Sequence, residues 1–397
     1  MVKQQKPFSG ITVLDFSRVL AGPFCSAILA DQGAQIIKVE PPQGDDQRYM
    51  GAVRNNQSIN FQLFNRNKRS LKLDLRQPEA VKIAQELALK ADVVLENFRP
   101  GVADRLGIGA EQLQALKPDL VYCSVSGFGQ QGPMAAMPSY DVVAQALSGM
   151  MSVTGEASGA PTLVGDSIGD IVSGIYAAQA ISAALYRRSV TGQGARIDVA
   201  MFDALFSLLP TVLAGWQGSG NRPARFGNQH PLSAPFGAFA ASDAPFILAV
   251  ANKALFARLA EALGKPHLAD DPRFASDQLR SQNRDALQAE IEDWSRRYTA
   301  AEVVEKLGKA GLPVSEIWAV DEAAQSAHAQ HRQLLHEVEH PQLGKLLVPE
   351  QPVHFDGLPR GDIRQAPELG ADGADILREF LDMDEAQISA LTSAGIV

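Results

Sequence analysis

The sequence predicts an α/β protein with a mostly parallel sheet. Short apolar runs alternate with stretches of helical periodicity in its N-terminal third, and Gly and Pro residues bound many of them. This alternation is typical of parallel strands joined by right-handed helical crossovers. With 397 residues, of which 46% are hydrophobic and 20% charged, the chain is long enough for two or more globular domains.

The first third of the chain supplies most of the predicted sheet. Residues 10–16 form an apolar run that predicts a buried strand. A helix is predicted at 23–31 because Pro23 stands at its start and Gly33 just past its end. Further apolar runs predict strands at Gln35–Glu40, 71–75, 91–98 and 120–126, and helical spacing predicts a helix at Pro78–Lys90.

Polar and basic residues follow these strands at their carboxyl ends, where the ligands of parallel sheets bind. Arg18 follows the strand at 10–16, and Asn97 and Phe98 end the strand at 91–98. The first strand is not followed by G-x-G-x-x-G, and the chain has no Walker A pattern, so the usual phosphate cradles are not predicted. Phosphates would instead meet basic side chains, of which the candidates are Lys68, Arg69, Arg76, Arg99 and Arg105.

The remainder of the chain predicts a long helix and then a smaller α/β unit. An apolar run at 161–164 and a Gly-bracketed turn at 165–169 precede an apolar helix at 171–186. This helix is too short and too rich in Ser, Gly and Ala to span a bilayer. The elements predicted after it are a helix at 202–216, a loop at 226–239, a strand at 246–251, helices to about residue 310 and a final helix at 374–382.

The polar, Gly-rich stretch 217–225 is the predicted linker between domains. It separates an N-terminal part, 1–216, from a small domain at 226–325, and residues 326–397 form the tail.

Charge and cysteine content indicate which partners and which compartment are expected for the protein. A formal net charge of −9 argues against nonspecific binding to nucleic acid or to an anionic membrane. Cys25 and Cys123 are the only cysteines, and their apolar surroundings are typical of buried thiols in a reducing compartment. Asp15 and Arg18 interrupt the N-terminal apolar run, so no signal peptide is predicted and a cytoplasmic location is expected.

Asp170 stands at the start of the helix predicted from residue 171, and two interpretations compete for it. Its carboxylate could cap the helix N-terminus, which by spacing alone is the favoured interpretation. It could instead be a nucleophile held on a tight turn and able to form a covalent acyl intermediate. Asp166 lies four residues earlier, inside the turn, and is the rival reactive carboxylate.

Two further motifs give alternatives. Residues 165–169 fit the G-x-S-x-G nucleophile elbow, which would make Ser167 the nucleophile of a hydrolase. Residues 336–340 fit the zinc-binding H-E-x-x-H pattern, but that pattern needs a helix. Pro341 and the alternating polarity favour a strand there, so no metal site is predicted.

The chain resembles the class III CoA-transferases, the formyl-CoA transferase and carnitine CoA-transferase family, over essentially its whole length. The resemblance depends on several ordered motifs that together are more specific than any one of them. They are 13–16 with 21–23, 33–40, 67–70, 96–101, 126–129, Tyr140 with Asp141, Gly169 with Asp170, and 225–228.

The resemblance implies a fold and a reaction. The fold is a large Rossmann-like domain built from both chain ends, with 326–397 returning to it, plus a smaller central domain, in an interlocked homodimer. The nucleophile is the Asp of the Gly-Asp pair, here Asp170. It would attack an acyl-CoA to give an aspartyl anhydride, and an aspartyl-CoA thioester would then pass CoA to a second carboxylic acid. No tightly bound cofactor is implied.

The resemblance also implies binding residues. The contacts to CoA are Arg18, Ala21, Leu73, Leu75, Asn97, Phe98, Arg105 and Tyr140, and the substrate loop comprises Leu20, Gly227, Asn228 and His230. Leu20 stands where formyl-CoA transferase has a Gln that contacts oxalate, so a C4–C5 dicarboxylate such as itaconate or mesaconate, exchanging with succinyl-CoA, is expected. An α-methylacyl-CoA racemase remains an alternative, although the chain has no histidine before His230.

Overall fold

We describe a computed structural model of the protein over residues 5–358 and 360–397. In these residues the strands are β1 (Thr12–Asp15), β2 (Gln35–Glu40), β3 (Val53–Arg54), β4 (Gln57–Ser58), β5 (Arg69–Lys72), β6 (Val93–Glu96), β7 (Val121–Ser126), β8 (Ala195–Ala200), β9 (Phe236–Ala240), β10 (Pro245–Ala249), β11 (Val314–Glu316), β12 (Leu335–His340) and β13 (Gly344–Pro349).

The α-helices of the same residues follow in chain order. They are α1 (Ala21–Asp31), α2 (Ile59–Asn65), α3 (Pro78–Lys90), α4 (Val102–Arg105), α5 (Ala110–Leu116), α6 (Asp141–Leu147), α7 (Met150–Val153), α8 (Ile168–Thr191), α9 (Met201–Phe206), α10 (Pro210–Ser219), α11 (Lys253–Ala262), α12 (Asp277–Gln282), α13 (Arg284–Ser295), α14 (Ala300–Lys309), α15 (Val320–Gln325), α16 (Ala327–His331), α17 (Gly373–Leu381) and α18 (Glu385–Ser393).

The chain divides into two compact units. The first is made of Met1–Ser148, Val164–Leu208 and Ala327–Val397, and the second of Gly149–Leu163 and Leu209–Ser326. The boundaries predicted at 216 and 226 lie elsewhere, because 149–163 and 209–216 make their contacts within the second unit.

The first unit is built on a parallel sheet, which confirms the predicted α/β class. Its strand order is β5-β2-β1-β6-β7-β8, and every neighbouring pair runs parallel. Numbered along the chain, this is the order 3-2-1-4-5-6 of dinucleotide-binding folds, in which the order reverses between the first and fourth strands. The reversal here lies between β1 and β6.

Helices cover both faces of this sheet, so its inner strands β1, β2, β6 and β7 are buried on both sides, whereas the edge strand β8 is partly exposed. Leu14 and Val94 face a core that includes side chains of α3, α5 and α17. Val13 and Val93 face the opposite core, which includes side chains of α1 and α8. The continuous apolar runs of the sequence reflect this two-sided burial.

The second unit has an antiparallel sheet, ordered β11-β10-β9, and its own apolar core. The prediction of a loop at 226–239 is wrong at its end, where β9 begins at Phe236 and pairs with β10. The predicted helix 202–216 is divided between α9 and α10. Pro210 starts the second of them, because a proline lacks the N–H that a continuing helix needs.

Helix α8 is longer than predicted. It runs for 24 residues, and by length and composition it could cross a membrane, so the prediction that it is too short is wrong. About two fifths of its most apolar window, 39%, is buried, and the helix packs against α1, β7, β8 and α9. Within the described residues it is the one helix with this property.

Candidate active site

The point where the strand order reverses carries the loop of residues 17–20, between β1 and α1. The Asn97 side chain, just after β6, binds both backbone groups of Arg18. Its Oδ1 accepts the Arg18 N–H at 2.8 Å, and its Nδ2 donates to the Arg18 carbonyl at 2.8 Å. Asn97 therefore fixes the β1 loop against β6 at the edge where ligands of such sheets bind.

A groove opens at this edge. Four of the predicted CoA contacts line it, namely Arg18, Leu73, Leu75 and Phe98. The other lining residues are Phe16, Val39, Glu40, Pro41, Pro42, Gln43, Asp74, Arg76 and Leu106. Leu73 and Leu75, predicted on a strand, follow β5 in a turn that ends the strand. In that turn the Gln77 N–H donates to the Asp74 carbonyl.

The other predicted CoA contacts do not line this groove. Ala21 is buried at the start of α1, and Arg105 is exposed at the end of α4. Tyr140 is 70% exposed immediately before α6. Only 8% of the Leu20 surface is exposed, so this residue presents little surface to a ligand.

Asp170 lies in the first turn of α8, half-buried, with Ser167 as the residue that precedes the helix. The interpretation of Asp170 as the N-cap is therefore wrong, since it is the third residue of the helix. Among the described residues, no hydrogen-bond donor contacts its carboxylate, whereas most buried carboxylates are paired.

Asp141 closes the N-terminus of α8 from a neighbouring helix. Its Oδ1 accepts the Gly169 N–H at 2.6 Å, and its Oδ2 accepts Gln145 Nε2 at 2.7 Å. Gln145 Oε1 in turn accepts the Val164 N–H at 3.0 Å. A Cβ added at Gly169 would lie 2.8 Å from Asp141 Oδ1, so this close approach requires glycine.

These surroundings change the acidity of Asp170. Burial, and second the negative charge of Asp141, raise the pKa of Asp170 to about 7. Near neutral pH the carboxyl group is therefore divided between its neutral and ionised forms. A shifted pKa of this kind is frequent among catalytic carboxyl groups.

The two local alternatives are less favoured by the geometry. Asp166 is exposed, and its Oδ1 accepts the N–H of the next residue, Ser167, at 2.6 Å. Residues 161–164 do not form a strand, so the strand–turn–helix context of a nucleophile elbow is missing there. In the described residues no hydrogen bond joins Ser167 to a histidine, which a serine hydrolase needs.

Of the predicted substrate-loop residues, Gly227, Asn228 and His230 belong to the second unit, whereas Leu20, like Asp170, belongs to the first. The Gly227 N–H donates to the Gly155 carbonyl at 3.0 Å, and the Asn228 carbonyl accepts the Ala238 N–H at 2.8 Å. The His230 ring packs on Phe236, with centroids 5.1 Å apart. The loop is thus paired along β9.

Residues 336–340 form strand β12, as their alternation predicts. A strand does not place the two histidines of H-E-x-x-H on one helical face. In the described residues no group of three or more metal-ligating side chains occurs. Cys25 and Cys123 are free and buried, as predicted.

The sequence patterns do not indicate the side chains that support the N-terminus of α8 and the loop of residues 17–20. Asp141 was recognised as part of a motif, but its contact with Gly169, 28 positions away, was not. Lys38 and Asp45, whose side chains are fully buried beside the groove, were not singled out at all. A charged residue inside an apolar strand, such as Lys38 in β2, is the signal that points to a buried partner.

Comparisons with known proteins identify the family of the chain. Residues 8–373 match the profile of CoA-transferase family III. An acetyl-CoA:oxalate CoA-transferase from Acetobacter aceti is 43% identical over 381 residues, 95% of this chain and 97% of that protein. A succinyl-CoA:glutarate CoA-transferase from Mus musculus is 35% identical over 398 residues, 99% of this chain and 90% of that protein.

A solved structure shows the same fold. The crystal structure of a CAIB/BAIF family protein from Brucella suis matches with a TM-score of 0.84 at 35% identity, and the match covers 95% of this chain and 100% of that one.

Proposed function

Because this chain belongs to CoA-transferase family III, we propose that it transfers CoA from an acyl-CoA to a free dicarboxylic acid through covalent intermediates on Asp170. The membership confirms the resemblance found in the sequence. The observation that carries the proposal is the Asp170 carboxyl group, half-buried in the first turn of α8, with its pKa raised to about 7.

The proposed reaction has four acyl-transfer steps. The Asp170 carboxylate attacks the thioester carbonyl, which gives an aspartyl anhydride and CoA thiolate. The thiolate attacks the aspartyl carbonyl of the anhydride, which releases the donor acid and leaves an aspartyl-CoA thioester. The acceptor carboxylate attacks this thioester, and CoA thiolate then attacks the acceptor carbonyl of the new anhydride, which regenerates Asp170. One thioester replaces another, so the exchange needs no ATP and no bound cofactor.

Asp170 suits these steps because of its surroundings. A carboxylate that accepts no hydrogen bonds and is partly desolvated is more nucleophilic than one in water, and a fraction remains ionised near pH 7. The groove at the carboxyl ends of the strands, with Arg18, Leu73, Leu75 and Phe98 in its lining, is the proposed site for CoA. Arg18 would bind phosphate, and the apolar lining would bind adenine or pantetheine.

The proposed donor and acceptor are succinyl-CoA and a C4–C5 dicarboxylate such as itaconate or mesaconate. An apolar Leu20 in place of a Gln supports an acceptor longer than oxalate, and so does the succinyl-CoA:glutarate relative. A second pair, acetyl-CoA and oxalate, is favoured by the relative with 43% identity. The small exposed surface of Leu20 weakens the argument against oxalate.

We also propose that the protein acts as an interlocked homodimer. Large apolar side chains of α8 are exposed in the single chain, among them Ile175 (49%), Tyr186 (73%) and Val190 (68%), and a second copy would cover such a surface. Light scattering after size exclusion should give about 85 kDa, twice the chain mass of 42.5 kDa. A mass of one chain would exclude this part of the proposal.

The experiment that tests the function detects the covalent adduct. Each of succinyl-CoA and acetyl-CoA is incubated with oxalate, glutarate, mesaconate and itaconate, and new CoA esters are identified by mass spectrometry. Hydroxylamine trapping followed by peptide mapping should modify Asp170. Asp170→Ala should lower turnover by about 10³-fold or more, while Asp166→Ala and Ser167→Ala should retain it. Transfer at full rate by Asp170→Ala would exclude the mechanism.

A further inference from the structure

We propose that Asp45 is a positioning residue for CoA: it holds the backbone of Val19 in a strained conformation and thereby presents Arg18 to the groove. The inference rests on the proposed function, because it assigns CoA to the groove that Arg18 lines. Asp45 itself does not line the groove.

Val19 adopts a backbone conformation that its side chain disfavours. Its φ is 64°, in the left-handed region that a β-branched residue rarely enters. Such a residue persists only where surrounding contacts fix it, and outliers of this kind cluster at ligand sites. The loop that carries Arg18 therefore needs external support.

Asp45 supplies that support from the segment after β2. Its Oδ1 accepts the Val19 N–H at 3.0 Å and the Gln47 N–H at 3.0 Å. Its Oδ2 accepts Lys38 Nζ at 2.8 Å, and Lys38 Nζ also donates to the Ser17 carbonyl at 2.9 Å. The two charged groups thus bind the backbone on both sides of Arg18.

The pair is fully buried and charged. Neither side chain has exposed surface. Burial acts to raise the pKa of Asp45, but the charge of Lys38 and the N–H donors outweigh it and hold that pKa below its usual value. With the Asn97 amide on the Arg18 backbone, side chains from β2, from the segment after β2 and from the end of β6 fix residues 17–19.

Positioning can be separated from simple stabilisation by two double variants of the full-length protein. Both replace the ion pair, so neither leaves a buried charge unpaired. Lys38→Met with Asp45→Asn retains an acceptor for the Val19 N–H, whereas Lys38→Met with Asp45→Leu has nearly the same shape and no acceptor. The variants are compared by calorimetric titration with CoA, by kcat and KM for the acyl-CoA, and by melting temperature.

The Asn variant should bind CoA within about threefold of the unaltered protein, while the Leu variant should bind it about tenfold more weakly. The loss should fall on KM, with kcat changed by less than about threefold, because Asp45 does not contact the reacting atoms. Equal CoA affinity of the two folded variants would overturn the inference.

A matched control uses the buried Asp31–Arg66 ion pair of the same unit, which does not line the groove. Asp31→Leu with Arg66→Met should change stability but leave the CoA dissociation constant within about twofold. A CoA loss equal to that of the Leu variant would show a general effect of unfolding and overturn the inference. Absence of CoA binding by the unaltered protein would instead overturn the proposed function. If the Leu variant does not fold, Lys38→Met with Asp45→Ser serves as the test: its shorter side chain should also weaken CoA binding relative to the Asn variant, and equal affinity would overturn the inference.

Discussion

Asp170 combines two surroundings that disfavour a negative charge, partial burial and a neighbouring carboxylate. Its pKa is raised to about 7 from the ordinary 3.8. Between these values the folded protein binds more protons at this site than the unfolded chain, so this site makes the folded state less stable as pH rises. The carboxylate is therefore retained at a cost in stability, as is common for catalytic groups.

Asp170→Asn should for this reason increase the free energy of unfolding at pH 8 by about 1–2 kcal/mol, while changing it little at pH 4. Urea denaturation at both pH values measures the difference. The control is Asp166→Asn, which removes an exposed carboxylate four residues away and, as a surface substitution, should change the free energy of unfolding by less than about 0.5 kcal/mol. Equal effects of Asp170→Asn at pH 4 and pH 8 would contradict the raised pKa.

Asp141→Asn should move the pH dependence of turnover to lower pH. Removal of the neighbouring charge lowers the pKa of Asp170, so a larger fraction is ionised at pH 6, while Asn retains an acceptor for the Gly169 N–H. We expect the midpoint of the rate–pH curve to fall by about one unit. Initial rates with saturating acyl-CoA from pH 5 to 9 measure it, and an unchanged midpoint would show that Asp141 does not set the acidity.

The sequence predicted the place of Asp170 but not its environment. A Gly-Asp pair before an apolar helix is a local pattern, and so the position at the helix start is readable. The absence of a capping bond and the approach of Asp141 depend on how α6 packs against α8, which no local pattern encodes. The same holds for Asp45 and Lys38, which reach the backbone of Val19 and Ser17 only when the β2 segment folds against the β1 loop.

At the scale of elements, the crossing of α1 and α8 depends on the absence of a side chain at Gly174. A Cβ there would lie 2.8 Å from the Ala21 carbonyl oxygen and 3.2 Å from the Cys25 nitrogen. Both contacts are to backbone, which cannot move aside without shifting a helix. This crossing sets the distance between the helix that carries Asp170 and the helix that follows the Arg18 loop.

Gly174→Ala should therefore lower the free energy of unfolding by about 2–3 kcal/mol, although alanine is the better helix former. Gly218, in α10, is the matched control, because a Cβ there meets nothing within 4 Å. Gly218→Ala should raise stability by up to about 1 kcal/mol. Urea midpoints of both variants give the comparison, and equal changes would show that the close crossing carries no cost.

The elements were predictable where their pattern is local. Five strands of the parallel sheet were predicted because burial leaves apolar runs in their sequences, whereas β8, at the edge of the sheet and partly exposed, was not predicted. Strand β9 was missed because its Phe-Gly-Ala-Phe-Ala sequence becomes a strand only by pairing with β10. The break before α10 was missed although Pro210 marks it, since most of the residues around it are apolar.

At the scale of the molecule, each unit has a hydrophobic core of its own. Phe246 is fully buried in the second unit, in β10, with the ring of Phe239 6.0 Å away. Among the described residues, the two apolar cores of the parallel sheet share no residue with the core of the second unit. Stability in the two units therefore depends on separate sets of side chains.

Phe246→Ala should cost the second unit about 3–5 kcal/mol. Hydrogen exchange followed by mass spectrometry should show faster exchange in 236–316, with exchange in β1 and β2 unchanged. Ile108→Ala, in the core of the parallel sheet, is the reciprocal control and should accelerate exchange mainly in the first unit. Parallel loss of protection in both units for either variant would indicate a single cooperative structure.

The division of the chain could be predicted only in part. A Gly-rich polar stretch is a reasonable linker, but the second unit already includes the chain from Leu209, eight residues before the predicted stretch 217–225. The segment 149–163 is also rich in Gly, Ser and Thr, but this composition does not show which unit the segment joins. It joins the second unit through contacts such as that of the Arg225 guanidinium with the Gly159 carbonyl. Contacts between positions far apart in sequence decide such assignments.

Helix α8 ends far from Asp170, and its distant end is anchored. There Arg188 donates to the Asp92 carboxylate at 2.8 Å, and Asp92 also accepts the Thr12 N–H at the start of β1. Arg188 lies 18 positions after Asp170, about 27 Å along a rod that resists bending. The angle at which the proposed nucleophile would meet a substrate is thus set partly on the opposite edge of the sheet, so surface changes remote from any ligand would alter its reactivity.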